Sequence, residues 1–209
     1  MTKFLVVFDV DSTLIEQEAI ELLAAHSKSA ELVKDITDRA MRGEIDFNQS
    51  LLERVATLRN LPESVLGEVS QGLKLTQGAK ELVEAIHARG GKAAAVSGGF
   101  IQLLDPIRAA LSLDFAAANT LGLANGTLTG EVVGPIVNRQ AKADYLVEWA
   151  NSEHLPLAKT IAVGDGANDL GMMEIAGLSV AFCAKPIVNQ KADISLRERD
   201  LAQLIELLP

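Results

Sequence analysis

Phe4-Leu5-Val6-Val7-Phe8-Asp9-Val10-Asp11-Ser12-Thr13-Leu14 is the stretch whose reading decides the fold of this chain. Five consecutive apolar residues, mostly β-branched or aromatic, are too few for a helix and read as a strand buried on both faces. The strand runs straight into two carboxylates two residues apart. In an open α/β sheet the carboxyl ends of the strands are where ligands bind, so an acidic pair there carries more weight than an ordinary turn. A turn followed by a helix cap is the plain alternative for Asp9 and Asp11 taken alone. A calcium loop of the EF-hand type does not fit: counted from Asp9, Leu14 stands where glycine is needed and Ile20 where glutamate is needed.

The chain around this strand has 209 residues, 48% of them hydrophobic, enough for one domain with a full core or a core plus a small insert. A net charge of −9 and a pI near 4.9 argue against nucleic acid and anionic membrane as partners, since both recruit basic surfaces. A small anionic substrate needs only local positive charge. One cysteine, Cys183, leaves no internal disulfide and no cysteine-rich zinc motif, and its apolar surroundings suggest an inert buried thiol. The N-terminus lacks the pattern of a signal peptide and no apolar run has the length of a membrane span, so a cytoplasmic protein is expected.

After Leu14 the pattern changes. From Glu16 to Gln71 the periodicity is helical, with Ala19, Leu22, Leu23 and His26 on one face, Leu32, Ile36 and Ala40 on a second, and Leu51, Leu52, Val55 and Leu58 on a third. Gly43 and Asn60-Leu61-Pro62 punctuate a predicted four-helix insert. An α/β rhythm then begins: helix Gln77–Arg89, strand Lys92–Val96 ending in Ser97-Gly98-Gly99, helix Ile101–Leu111 and strand Phe115–Ala118. A hairpin is expected around Asn125-Gly126. Helix Arg139–Ser152, strand Thr160–Val163, helix Leu170–Ala176, strand Leu178–Phe182 and a closing helix Leu201–Leu208 complete the pattern. The expected fold is α/β: a Rossmann-like parallel sheet with helices on both faces, a small inserted four-helix cap and a β-hairpin flap. The expected boundaries are 1–13 and 75–209 for the core and 14–74 for the cap.

Three strands thus end in loops rich in chemistry: Asp9/Asp11, Ser97-Gly98-Gly99, and Gly164-Asp165-Gly166-Ala167-Asn168-Asp169. If the strands are neighbours, the loops converge and bring four carboxylates together. Two such charges about 4 Å apart repel by roughly 4 kcal/mol at an effective dielectric of 20. A hard divalent cation relieves this, and oxygen-only donors suit Mg²⁺. Ser97 offers a hydroxyl, and two glycines before a helix offer backbone N–H groups to a phosphate. Neither a dinucleotide fingerprint nor a GxxxxGK loop is present, and the three histidines lack zinc-ligand spacing.

Asp9-Val10-Asp11-Ser12-Thr13, Ser97-Gly98-Gly99, Lys142 and Gly164 to Asp169 resemble, in this order, the four motifs of the haloacid dehalogenase superfamily of phosphohydrolases. The resemblance covers essentially the whole chain and extends to the superfamily's short phosphoserine phosphatases, including Phe182-Cys183-Ala184-Lys185-Pro186. It implies a Mg²⁺-dependent hydrolysis of L-phosphoserine, the last step of serine biosynthesis, through an aspartyl phosphate on Asp9, with Asp11 as acid and then base. It implies metal ligation by Asp9, the backbone carbonyl of Asp11, and Asp165, with Asp169 ordering the ligands. Ser97, Gly98, Gly99 and Lys142 would bind the phosphoryl group, Glu18, Met41, Phe47 and Arg54 would recognise the rest of the substrate, and Asn168 is a further substrate-binding residue. Taken alone, Lys142 reads as a solvated helix lysine, and Glu18 and Arg54 as exposed helix charges. A phosphatase or phosphotransferase for another small phosphomonoester stays open, as does a phospho-accepting receiver domain, which differs in strand position and lacks a helical insert. A monomer or homodimer is expected.

Overall fold

A computed structural model describes residues 1–41 and 44–209; Gly43 and the side chains of Ala40 and Met41 lie outside the described residues. In chain order the elements are β1 (Leu5–Phe8), α1 (Ala19–His26), α2 (Ala30–Met41), α3 (Phe47–Ala56), α4 (Ser64–Gly72), α5 (Ala79–Ala88) and β2 (Lys92–Phe100). There follow α6 (Ile101–Leu111), β3 (Phe115–Ala124), β4 (Thr127–Val133), α7 (Arg139–Ser152), β5 (Thr160–Gly164) and α8 (Leu170–Ile175). β6 (Leu178–Phe182), the short α9 (Pro186–Asn189), β7 (Ile194–Leu196) and a 3₁₀ helix over Leu201–Leu207 end the chain.

The seven strands form one sheet in the order β4-β3-β2-β1-β5-β6-β7, parallel except for β4. β1 lies in the middle, paired with β2 from Leu5↔Lys92 to Phe8↔Ala95 and with β5 from Leu5↔Thr160 to Phe8↔Val163. The side-chain period of two sends Leu5 and Val7 to the α7–α8 face, where they join Leu146, Trp149 and Met172. Phe4, Val6 and Phe8 go to the other face with Leu82, Ile86, Leu104 and Leu204. A strand covered on both sides has no polar face to show, which is why its sequence is apolar without alternation.

The helical insert packs Leu23, Val33, Leu51, Val55, Leu58 and Val65 against Phe100, Leu103, Leu121 and Leu128, so its apolar core is continuous with β2, α6 and the hairpin. The Asn125-Gly126 turn has φ of 51° and 76°, the left-handed pair that a two-residue hairpin needs. Ile15 bridges Leu75 where the chain leaves and rejoins the sheet layer, and Pro62 bridges Thr127 at the hairpin tip.

Several expectations change. β2 does not stop at Val96: it runs through Ser97, Gly98 and Gly99 with a register shift, so the glycines form a bulged strand end rather than a helix entry. Phe115–Ala118 continues unbroken to Ala124, exchanging its parallel partner β2 for β4. Leu32 is 53% exposed and Leu52 46%, because Val33 and Leu51, one residue (100°) round each helix, take the buried face. β7, three residues of which none is buried, has too little apolar pattern to be read, and the closing helix is 3₁₀. Cys183 is only half-buried, at φ 46°, past the end of β6.

At the far end of the sheet from the acidic loops, the Asp114 carboxylate accepts from Lys92 Nζ at 2.7 Å, from the Ala93 N–H at 2.9 Å and meets His87 Nε2 at 2.9 Å. Burial pushes its pKa up, and the bonds from Lys92, Ala93 and His87 outweigh this and hold it below 3.8. A carboxyl depressed in the folded state stabilises above its unfolded pKa, and that contribution fades as pH falls through the folded value. Asp114→Asn should therefore cost about 1–2 kcal/mol at pH 7. In urea titrations the gap to wild type should narrow only below about pH 4.

Candidate active site

Because β1 sits between β2 and β5, the three loops that the sequence singles out come together at the carboxyl edge of the sheet. Asp9 extends β1 by one rung, its N–H donating to Val163 O at 2.9 Å. Val10–Leu14 then forms a single wide turn closed by Ile15 N–H to Val10 O, with Ser12 left-handed at φ 60°. This turn places Asp11 beside Gly99: a Cβ on Gly99 would stand 2.9 Å from Asp11 Oδ2 and 3.0 Å from Ser97 Oγ. Glycine at 99 is thus a matter of room. Ser97 Oγ accepts from the Gly99 N–H at 2.8 Å, which leaves the hydroxyl proton free to donate outward.

Lys142 has no exposed surface at all. Asn138 caps α7, accepting from Gln140 and Ala141 N–H at 3.1 Å, and the first turn then carries Lys142 under the sheet edge. Its ammonium donates to Asp9 Oδ1 at 2.5 Å and to Asp169 Oδ1 at 2.7 Å. Burial alone would lower the Lys142 pKa; Asp169 and Asp9 outweigh it and raise the value above the ordinary lysine range. The second oxygen of Asp169 accepts from the N–H groups of Asp165 and Gly166 at 3.1 and 3.0 Å. A Cβ on Gly164 would overlap the Asp169 carboxylate, so that position also has no room for a side chain.

Asp9, Asp165 and Asp169 each bring an oxygen within 4.8 Å of the others. Lys142 balances only part of that charge. Burial first, and the Asp169 charge second, raise Asp165 to about 6 and push Asp9 well above its usual range against the pull of Lys142. Three converging oxygen donors with excess negative charge fit a hard cation. Both oxygens of Asp169 are already engaged, which leaves Asp9 and Asp165 with free lone pairs. The Asp11 carboxylate stands outside this cluster, raised to about 7 by burial and then by the Glu18 charge.

Above these groups opens a cavity of about 870 Å³. Its floor contains Asp9, Asp11, Ser97, Gly98, Gly99, Asp165 and Asn168; its roof, from the insert, contains Glu18, Phe47 and Arg54. Phe47 lies over Gly98, where a Cβ would stand 3.0 Å from the ring, and Asn138 Nδ2 donates to Asn48 Oδ1 at 3.2 Å across the divide. Glu18 accepts from Ser12 Oγ at 2.7 Å, and Arg54 Nε donates to Ser50 O at 3.1 Å. Burial lowers the Arg54 pKa, with Glu18 and Asp11 opposing. Every site residue named from the sequence lines the cavity or lies beneath it, apart from Met41, whose side chain is outside the described residues. Lys142 is no solvated lysine. The sequence reading missed Ser50, Arg139 and Lys185 on the wall, and Asn119 behind it, which donates to Gly98 O and accepts from Val137 N–H, both at 2.8 Å. An asparagine inside an apolar strand was the available signal for Asn119.

The family model of haloacid dehalogenase-like hydrolases matches residues 6–174. The chain belongs to this family. The phosphoserine phosphatase of Streptococcus thermophilus is 48% identical over 206 residues, 99% of this chain and 96% of that one. That of Methanocaldococcus jannaschii is 42% identical over 99% and 98%. A solved structure of a phospho-aspartyl intermediate analogue of phosphoserine phosphatase superposes with a TM-score of 0.94 at 42% identity, covering 100% of each chain.

Removing the ammonium leaves Asp9 and Asp169 facing each other without the charge that both meet. Lys142→Met should lose about 3 kcal/mol or more at pH 7, since orphaned buried charges are costly. The orphaned carboxylates take up protons in the folded state at a higher pH than in the unfolded state, so the deficit should shrink as pH falls toward 5. Urea titrations with chelator present at both pH values check this.

Proposed function

We propose that this chain hydrolyses phosphoserine to serine and inorganic phosphate through an aspartyl phosphate on Asp9, with Mg²⁺ as cofactor. The observation that carries the reading is the pairing of Asp9 with Lys142 at the floor of a cavity whose opposite wall holds Arg54 and Glu18. The floor suits a phosphoryl group. The roof suits the two ends of an amino acid, Arg54 for the carboxylate and Glu18 for the ammonium. The relatives named above act on phosphoserine by their names, and they match this chain over its whole length.

Lys142 fixes one oxygen of Asp9 and so aims the other at phosphorus. That oxygen attacks in line, the bond from phosphorus to the serine oxygen breaks, and Asp11 delivers its proton to the leaving oxygen. Asp11, now charged, takes a proton from water, which attacks the acyl phosphate and frees phosphate and Asp9. Ser97 and Lys142 donate to the phosphoryl oxygens as charge shifts between them. Mg²⁺ held by Asp9, the backbone carbonyl of Asp11, and Asp165 would offset repulsion between the dianionic ester and the carboxylate. Residues 14–74 act as a cap, pivoting where Ile15 meets Leu75 and excluding water once substrate is bound.

Asp9→Asn should abolish turnover while leaving the fold intact. Wild-type protein quenched in acid during turnover should carry phosphate that hydroxylamine releases; stable label, or activity surviving the substitution, contradicts the role.

Losing one charge-assisted contact in a closed site costs about 1.5–3 kcal/mol, or roughly 10- to 100-fold. Arg54→Ala and Glu18→Gln should each lower kcat/KM for phosphoserine by that order, mostly through KM. Phosphoethanolamine lacks the carboxylate, so Arg54→Ala should barely alter its rate, and p-nitrophenyl phosphate should be nearly indifferent to both. Equal losses on all three substrates would assign these residues to folding or cap closure.

A further inference from the structure

Ser50 lies in α3 with 1% of its surface exposed, and its hydroxyl has no hydrogen-bond partner among the described residues. Of the described buried side-chain polar atoms left unpartnered, Ser50 Oγ alone belongs to a residue lining the cavity. A buried helix serine ordinarily returns its hydroxyl to the carbonyl four residues back. Here the Asp46 carbonyl receives only the Ser50 N–H, at 2.9 Å. An idle hydroxyl in a dry place is destabilising unless something arrives to pair with it.

The helix shows what that would be. Phe47, Ser50 and Arg54 fall at i, i+3 and i+7, one face of α3, and all three line the cavity. The Ser50 backbone carbonyl accepts from Arg54 Nε at 3.1 Å, so the guanidinium is drawn back over Ser50 with its terminal nitrogens left for an anion. An anion seated there lies against the same face of α3 that carries Ser50. A carboxylate has lone pairs to spare after meeting one guanidinium, whereas an ammonium has none to accept a donated proton. Glu18, the group suited to the ammonium, is engaged elsewhere, with Ser12.

We propose that Ser50 is a specificity-determining residue: its hydroxyl donates to the substrate carboxylate beside Arg54. This rests on the phosphoserine reading above and adds a second, neutral donor to the carboxylate end of the site. The neutral donor adds a hydrogen bond to the carboxylate without adding charge.

The test is Ser50→Ala assayed on phosphoserine, phosphoethanolamine and p-nitrophenyl phosphate beside wild type, with thermal melting of both proteins. Removing an unpartnered hydroxyl should leave the melting temperature equal to or above wild type. kcat/KM for phosphoserine should fall roughly 10-fold through KM, with the other two substrates changed by less than about 2-fold. An unchanged phosphoserine rate, or an equal loss on all three substrates, overturns the role of Ser50 while the phosphoserine reading stands. A wild-type enzyme that does not prefer phosphoserine to phosphoethanolamine overturns both.

Discussion

One buried ammonium holds this site together. Lys142 sits with no solvent contact between Asp9 and Asp169, 2.5 and 2.7 Å from their oxygens. Desolvating such charges is costly, and two carboxylates facing one ammonium, with the far oxygen of Asp169 also paired, offset that cost. Asp169 passes its second oxygen to two backbone N–H groups of the β5 loop, and Gly164 gives up its side chain to let the carboxylate in. Asn138 fixes the first turn of α7 so that Lys142 arrives at the right depth. The loop shape, the helix start and the aim of Asp9 are consequences of satisfying one cation.

The sheet order does the rest. With β1 between β2 and β5, the Asp9 carboxylate, the serine–glycine bulge and the acidic loop meet without any long excursion of the chain. The helical insert follows β1 directly, so Glu18 is only seven residues beyond Asp11, and its charge, after burial, helps raise that carboxyl to about 7. A group poised there can be protonated or ionised near neutral pH, as a residue that gives and then takes a proton must be. On the reading proposed above, the same short connection serves both recognition and proton transfer.

The buried first strand was legible because an apolar run without alternation has few other solutions; the order of its companions was not, and entered only as the condition that the three strands be neighbours. The Asn125-Gly126 turn was legible for a similar reason, since few dipeptides accept two positive φ values. The burial of Lys142 was not, because nothing in Arg139-Gln140-Ala141-Lys142 distinguishes a lysine under a sheet edge from one in water; only the order of motifs pointed to it. Leu32 and Leu52 misled for the opposite reason: helical periodicity gives a stripe, and the neighbouring Val33 and Leu51 fill it equally well. Ser50 carries no sequence signal, since its meaning lies in a partner that its own helix does not supply.

The insert's two edges are made of different material, and this constrains how it can move on the reading proposed here. On one side its core is shared with Phe100, Leu103, Leu121 and Leu128, and Asn60 N–H, Leu61 O and Glu63 N–H bond to Leu128 and Gly126 of the hairpin. Separating that side would expose apolar surface at about 25 cal/mol per Å² and break backbone pairs in the same step. On the other side the contacts among the described residues include one amide–amide bond, Asn138 to Asn48, the Phe47 ring over Gly98, and the half-buried Phe47 and Ile136 at the margin of the apolar cluster. Water replaces an amide bond at little net cost. Opening should therefore begin at Phe47 and Asn48, with the hairpin following the insert as part of the same body. Arg139 and Lys185 line the wall of the cavity, and on the reading proposed here they add positive charge along the path of an incoming phosphate.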